Sequence, residues 1–329
     1  MAGRININSG KINIYTEYAY KINDPSAINN NIYKPGDALY FSTSYSQKGL
    51  GIMLSVKRID NMDFRSERSA TGNDLIINYM PALAKQHLYS ASSMYPYSTQ
   101  TNGEMGVQGE VNYNFKKNTK LGGKYGTLLS VNFSKINAID KQKINDTTDI
   151  QQNGTLGYNS SFLKIGKDAY FQDFNISITK HINKKIRSYF MYMNQLYNID
   201  IIEGHPGKGI LRDNIGIIDL SYKFDDNNSL RTELQYLSTK KDVGDWAMML
   251  FEYNLKSTWF FAVADQYNLG NPIADKKIHY FNVSAGFVKN ANRVSITYGK
   301  QREGIVCIGG VCRNVPATNG VLVTITSSF

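Results

Sequence analysis

The chain has 329 residues, a formal charge of +10, a pI near 9.3 and a mean hydropathy of −0.37, with 23 Tyr, 7 Pro and 2 Cys. No run approaches the about 18 apolar residues of a transmembrane helix, and Met1-Ala2-Gly3-Arg4-Ile5-Asn6 has no apolar signal-peptide core. Lys and Arg are scattered rather than gathered into a stripe or a recognisable module, so nucleic acid is not an expected partner.

From the start the pattern is period two, the signature of strands with two different faces. Arg4–Asn8 reads as a first strand. Ile12, Ile14, Tyr18 and Tyr20 then oppose Asn13, Tyr15, Glu17 and Ala19. A polar loop from Asn23 to Gly36 leads to Asp37–Ser46, a short Gln47-Lys48-Gly49 turn, and Ile52, Leu54 and Val56 against Met53, Ser55 and Lys57. A charged loop runs from Ile59 to Asn73. Two weaker strands are expected at Leu75–Met80 and Leu88–Tyr95, joined across Pro81, which suits a turn better than a central strand.

Further on, Val107, Val111, Tyr113 and Phe115 oppose Gln108, Glu110, Asn112 and Asn114, and Leu129, Val131 and Phe133 oppose Ser130, Asn132 and Ser134. After a polar loop from Asn137 to Gly157, Phe174, Ile176 and Ile178 oppose Asn175, Ser177 and Thr179. The short Asn183-Lys184-Lys185 turn then enters Arg187–Asn198. Beyond the Ile201–Leu211 loop, Ile218, Leu220, Tyr222 and Phe224 oppose Asp219, Ser221 and Lys223. After a tight 225–228 turn, Leu230, Thr232, Leu234 and Tyr236 oppose Arg231, Glu233 and Gln235. Ala247, Met249, Phe251 and Tyr253 face an unusually apolar second side of Trp246, Met248 and Leu250. Thr258–Tyr267 is apolar on both sides and does not declare its faces. Phe281, Val283, Ala285 and Phe287 oppose Tyr280, Asn282, Ser284 and Gly286.

The C-terminal strands repeat the pattern. Val294, Ile296 and Tyr298 oppose Ser295, Thr297 and Gly299, and in the last strand Val321, Val323, Ile325 and Phe329 share a face. Between them, Gly309-Gly310 signals a two-residue hairpin, because both central residues need positive φ. That turn sets Ile308 opposite Val311 and Cys307 opposite Cys312, where Cα atoms approach to about 4.5 Å, within disulfide reach. A disulfide clasp on an exposed tip implies an oxidising compartment; a redox-active thiol pair is the alternative. A strand of about ten alternating residues ending on an aromatic resembles the closing strand of outer-membrane barrels, whose terminal residue, Phe329 in this chain, is read by the barrel assembly machinery.

Short turns alternate with long loops throughout, which favours an all-β, antiparallel up-and-down transmembrane β-barrel, with short periplasmic turns and long extracellular loops, over a soluble sandwich or propeller. Residues 1–329 are expected to form a single barrel domain of roughly 16–18 strands, about seventeen by direct count. Because single-chain bacterial barrels have even strand numbers, the chain is expected to be the C-terminal part of a larger barrel; a miscounted strand near 75–95 or an odd-stranded barrel would also fit. The expected lumen lining is Asn13, Glu17, Glu110, Asn112, Ser130, Asn132, Asn175, Asp219, Lys223, Arg231, Glu233, Gln235, Asn282 and Ser284. Such a lining suits either a water-filled pore or a lumen crossed by bonded side chains. The basic charge then falls on solvated turns and rim, on an anion-attracting lumen, or against lipopolysaccharide phosphates.

Several segments carry a family resemblance: Ile14-Tyr15-Thr16-Glu17-Tyr18-Ala19-Tyr20-Lys21-Ile22-Asn23-Asp24-Pro25, Lys48-Gly49-Leu50-Gly51, Arg58-Ile59-Asp60-Asn61-Met62, Met94-Tyr95-Pro96-Tyr97, Asn102-Gly103-Glu104-Met105-Gly106, Gly122-Gly123-Lys124-Tyr125-Gly126 and Cys307-Ile308-Gly309-Gly310-Val311-Cys312. Over nearly its whole length the chain resembles an uncharacterised outer-membrane barrel family of Bacteroidota. The resemblance implies an exported barrel, extended at its N-terminus in typical members, and it supplies no activity.

Catalytic chemistry finds little support. His87, His181, His205 and His279 have no recognisable nucleophile motif, so no enzyme is expected. Asp140, Asp146 and Asp149 do not have calcium-loop spacing, and Gly122-Gly123-Lys124 is not a phosphate loop, so neither metal nor cofactor is expected. Asp146-Thr147-Thr148 is similar to the O-glycan acceptor triplet of Bacteroidota. Two functions remain: porin-like passage of small solutes, or a scaffolding barrel whose external loops bind a surface lipoprotein or glycan.

Overall fold

The computed structural model describes residues 1–71, 74–308 and 311–327, with backbone alone for 304–308 and 311–315. Its strands are β1 (Ala2–Ser9), β2 (Ile12–Lys21), β3 (Gly36–Gln47), β4 (Leu50–Asp60), β5 (Glu104–Phe115), β6 (Thr127–Gln142), β7 (Asn159–His181), β8 (Ile186–Asn198), β9 (Ile210–Lys223), β10 (Ser229–Thr239), β11 (Trp246–Leu255), β12 (Trp259–Tyr267), β13 (His279–Lys289), β14 (Asn292–Gln301), β15 (Gly304–Ile308), β16 (Val311–Val315) and β17 (Thr318–Thr326). One helical turn, α1 (Ile199–Ile202), follows β8. Fifteen strands make a single antiparallel meander, β1 to β14 and then β17, while β15 and β16 form a separate ribbon.

Alternation decides which way each strand faces. In the β14–β17 ladder, Val294 meets Ile325, Ile296 meets Val323 and Tyr298 meets Val321, all exposed on one surface. The same surface carries Ile52, Leu54, Val111, Phe133, Phe174, Phe190, Ile218, Leu220, Leu234, Phe251, Val263 and Val283. It is a continuous apolar outer face. The opposite face is inner and mostly buried, with Asn132, Asn175 and Asp173 fully covered. The faces of β12 are resolved as well: Trp259, Phe261 and Val263 point out, whereas Phe260 and Ala262 are buried inside. Phe260 fits because Gly286 has no side chain; a Cβ there would stand 2.2 Å from its ring.

One end of the sheet has short connections at 10–11, 48–49, 182–185, 224–228, 256–258 and 290–291, with 116–126 the longest. The other end carries 22–35, 61–103, 143–158, 199–209, 240–245, 268–278 and 302–317. At the short-turn end aromatic pairs ring the outer face: Tyr113 with Phe115 at 4.8 Å, Tyr222 with Phe224 at 4.9 Å, and Trp259 with Phe287 at 4.8 Å between centroids.

Four expectations are corrected. Leu75–Met80 and Leu88–Tyr95 are not strands: the first keeps only an isolated bridge from Arg65 to Ile76, and the second is a turn in which Ser92 and Ser93 donate to the Tyr89 carbonyl at 3.1 and 2.9 Å. Serine hydroxyls that bond the local backbone compete with ladder formation. Removing those two strands from the expected seventeen leaves the fifteen of the sheet. The Asn137–Gly157 loop is shorter than expected, because β6 continues to Gln142 and β7 begins at Asn159. The sheet is also open rather than closed, since β1 and β17 each pair with a single neighbour. In an antiparallel meander of odd count the first and last strands run the same way, so they cannot join in one more antiparallel ladder. Ser328, Phe329 and the Gly309-Gly310 turn lie outside the described residues, as does the end of the Ile59–Asn73 loop at Asn73.

Candidate functional site

The inner face is layered by register. Toward the loop end, Met193, Ile215, Leu237 and Trp246 stand side by side on β8 to β11, beside a row of Met191, Ile217, Gln235 and Met248. Toward the short-turn end the same strands carry Tyr189, Asp219, Glu233, Arg231 and Glu252. A water-filled lumen gives no reason for the first, greasy layer. The connection from β4 to β5 supplies one: from the loop end it lays residues 82–97 back onto the inner face, where Leu83, Ala91, Tyr95 and Tyr97 pack with Met191, Met193, Ile215, Ile217, Trp246 and Met248 in one buried cluster.

This plug is tied to strands around the sheet. Lys57 on β4 meets Glu104 at 2.7 Å, with side chains 3% and 0% exposed, and donates to the Pro81 carbonyl at 2.6 Å and Thr99 Oγ1 at 2.9 Å. Glu104 also accepts from the Tyr97 hydroxyl and, at 2.6 Å, from the Gln100 amide. Lys85 pairs with Glu110 on β5 at 3.2 Å. His87 Nε2 lies 2.8 Å from Asp173 on β7, whose other oxygen accepts from Asn175 at 2.8 Å. Tyr97 stacks on Phe171 at 4.9 Å, and Tyr89 on Tyr189 at 5.3 Å. Tyr89 donates to Asp219 at 3.0 Å, the Ala91 amide to Gln235 at 2.8 Å, and Gln195 to the Tyr95 carbonyl at 3.0 Å. Buried polar groups that are paired in this way hold a segment in one arrangement, because losing a partner leaves the other desolvated and unsatisfied.

Of the residues expected to line a lumen, Glu110, Asp219 and Gln235 bond the plug directly. Glu233 accepts from Arg231 and Gln235, and Arg231 donates to Asp219 at 3.0 Å. Asn112 donates to Glu110 at 2.6 Å, and Ser130 to Asn112. Asn132 accepts from Gln108 at 3.1 Å. Glu17 stands apart, accepting from Tyr15 beside a second space of about 390 Å3 that reaches Tyr40, Lys57 and Pro81. Asn282 is buried on β13, lining a small space with Leu88 and Ser90 of the plug, and Lys223 is exposed at the short-turn end. The backbone register places Cys307 opposite Cys312 and Ile308 opposite Val311, as the Gly-Gly turn requires; their side chains lie outside the described residues.

The other loops lock together above the sheet. Asp60 accepts from the Tyr158 hydroxyl at 2.6 Å and from Arg58 at 3.2 Å, also from Ser160, with Lys34 at 3.6 Å. Arg58 bonds Asp37 as well. Asn61 accepts from Asn29 at 3.0 Å and donates to the Lys34 carbonyl at 2.6 Å. Gly157 (φ 77°) lets loop 143–158 close on loop 22–35, since a Cβ there would stand 2.6 Å from Ile32. Burial first, and then the Asp60 carboxylate, push the Tyr158 phenol well above its ordinary 10.0. Two of the three acidic residues of the 137–157 stretch are ion-paired, Asp140 with Lys164 at 2.9 Å and Asp149 with Lys143 at 2.6 Å.

With that geometry established, comparison with known proteins adds a family. The sequence model of a family of unknown function, DUF6029, matches residues 1–329. The chain belongs to DUF6029. No curated protein matches it. Among solved structures, a mutant porin of Rh. blastica is similar at 13% identity, over 99% of this chain and 87% of that chain, with a TM-score of 0.38. A mutant ferric enterobactin receptor of Pseudomonas aeruginosa is similar at 9% identity, over 98% of this chain and 56% of that chain, with a TM-score of 0.42. The toluene transporter TbuX of Ralstonia pickettii gives 8%, 100%, 80% and 0.27 in the same order. At these TM-scores none of the three bears on what the DUF6029 chain does.

Sequence reading missed His87, Tyr95, Tyr97 and Gln195 as residues of one site, and missed Lys57 with Glu104 as its buried ion pair. A signal was present in the apolar inner positions Trp246 and Met248, which require something dry to pack against them.

Proposed function

We propose that this DUF6029 chain is part of a β-barrel of the bacterial outer membrane, in keeping with the Bacteroidota resemblance, and that small solutes pass its interior under control of the plug at 61–103. One observation carries this reading: a single sheet turns a continuous apolar face outward, and inward a face that is polar and ion-paired apart from the apolar layer the plug covers. That division suits a sheet solvated by lipid outside and by water or its own polar segment inside. The aromatic pairs at the short-turn end suit an interfacial girdle. The unpaired edges β1 and β17 suit closure by strands additional to these fifteen, and Cys307 with Cys312 suits a disulfide in an oxidising compartment.

The plug distinguishes this protein from a permanently open pore. Single-channel recording of the full-length protein in planar bilayers tests the reading. The intact protein is expected to conduct weakly, and replacement of 79–100 by a flexible linker is expected to give steady open currents. A folded deletion protein that stays silent would sink it.

A second reading has its own support. The β6–β7 hairpin extends past its neighbours and exposes Phe162, Leu163 and Ile165. A scaffold that docks a surface lipoprotein or a glycan on that hairpin would co-purify with a stable partner and conduct nothing in either form.

A further inference from the structure

Between the plug and the inner wall of β7 and β8 lies a chamber of about 480 Å3, within the usual size of small-ligand pockets. Its wall includes Tyr95, Tyr97, Phe171, Lys85, His87 and Gln195. The chamber is open past the exposed Tyr79 and Leu88, and Gln195 in its inner wall carries an unmet need. Gln195 is 2% exposed; its amide nitrogen is spent on the Tyr95 carbonyl at 3.0 Å, and its Oε1 has no hydrogen-bond partner among the described residues. A buried amide oxygen left without a donor is costly, and a ligand donor would satisfy it.

The charges of the wall are already balanced. Lys85 is neutralised by Glu110 at 3.2 Å, and His87 is held by Asp173 at 2.8 Å through Nε2, which leaves Nδ1 as the ring nitrogen able to bond a ligand. An ionic ligand would find no uncompensated charge in this wall, and burying one without a counter-ion is expensive. What remains is a set of aromatic surfaces, an acceptor in want of a donor and an imidazole nitrogen. A molecule with apolar C–H faces and many hydroxyl donors, without net charge, matches all three.

We infer that the chamber between residues 79–97 and strands β7 and β8 is a binding site for a neutral saccharide, with Gln195 Oε1 accepting from its hydroxyls, His87 Nδ1 bonding another, and the aromatic rings covering its C–H face. The inference rests on the proposed passage of small solutes and names their class. A saccharide seated there would touch both plug and wall, so its binding would be coupled to the position of the plug.

Calorimetric titration of the full-length protein in detergent micelles tests the site apart from conduction. Maltose, cellobiose and lactose are the probes, with triglycine and inorganic phosphate as contrasts. Saturable binding of at least one disaccharide is expected, weakened about tenfold or more by Gln195→Met, as loss of one or two hydrogen bonds would give, and unchanged by the remote Ser46→Ala. If Gln195→Met does not fold, as judged by heat-modifiable migration in gels, His87→Asn is held to the same weakening. Absence of disaccharide binding, binding that survives substitution, or preference for triglycine or phosphate would each overturn the inference. A protein that binds no saccharide, yet opens when the plug is deleted, would refute the ligand while leaving the proposed function intact.

Discussion

The Lys57 ammonium and the Glu104 carboxylate meet at 2.7 Å across the start of β5, with almost no side-chain surface in contact with solvent. The pair fastens the two flanks of the buried stretch 82–97: Lys57 holds the Pro81 carbonyl and Thr99, and Glu104 holds Tyr97 and the Gln100 amide. Glu104→Gln would leave a buried ammonium without its counter-ion, at a cost of about 3–5 kcal/mol. Limited trypsin digestion should then cleave at Lys85 much faster than in the parent protein, and Lys57→Met combined with Glu104→Leu should recover part of the lost stability. Unchanged cleavage in Glu104→Gln would show that the plug is held by its apolar contacts alone.

The phenol of Tyr158 couples two loops through Asp60, and its proton is part of the bond. Tyr158→Phe is expected to cost about 1–3 kcal/mol, since Asp60 loses a buried donor. The raised phenol also sets a direction with pH. The folded protein keeps a proton that the unfolded chain gives up above pH 10.0, so this contribution is whole below that value and falls away as pH rises further. Unfolding measured by heat-modifiable migration between neutral and strongly alkaline pH should show a shallower alkaline decline in Tyr158→Phe.

The outer face makes a contrast of neighbours. Ile218 is exposed on it and Ser221 faces inward on the same strand, β9. Ile218→Arg should destabilise folding into lipid vesicles by about 2–4 kcal/mol if that face meets hydrocarbon, whereas Ser221→Arg should cost less than about 1 kcal/mol. Equal effects in a urea titration would argue against a lipid-facing belt.

The Cys307–Cys312 register predicts a covalent clasp. Thiol titration of the denatured protein should find no free thiol before reduction and two after it. Two reactive thiols in protein isolated without reductant would instead favour a redox pair.

Local pattern was enough to specify most of the sheet. Alternation at Ile218–Phe224 or Phe281–Phe287 fixes the two faces because successive side chains must point opposite ways, and a Gly-Gly pair fixes its own register. Those facts need no knowledge of neighbours. The polar inward identities of Glu110, Asp219 and Gln235 were legible for the same reason. Their partners were not, because Lys85, Tyr89 and Ala91 reach them across more than a hundred residues of sequence in two of the three cases.

What the tertiary structure decided was the fate of 61–103. Leu75–Met80 and Leu88–Tyr95 carry enough β-forming side chains to pass for strands, and composition does not distinguish a strand from an extended segment packed on one. Only the assembled sheet supplies the greasy layer of Met193, Ile215 and Trp246 together with the buried Lys57 and Glu104. Over 82–97 burial against that layer outweighs local preference, since apolar area removed from water and satisfied buried charges exist only once distant strands have come together, whereas Leu75, Ile76 and Ile77 stay exposed.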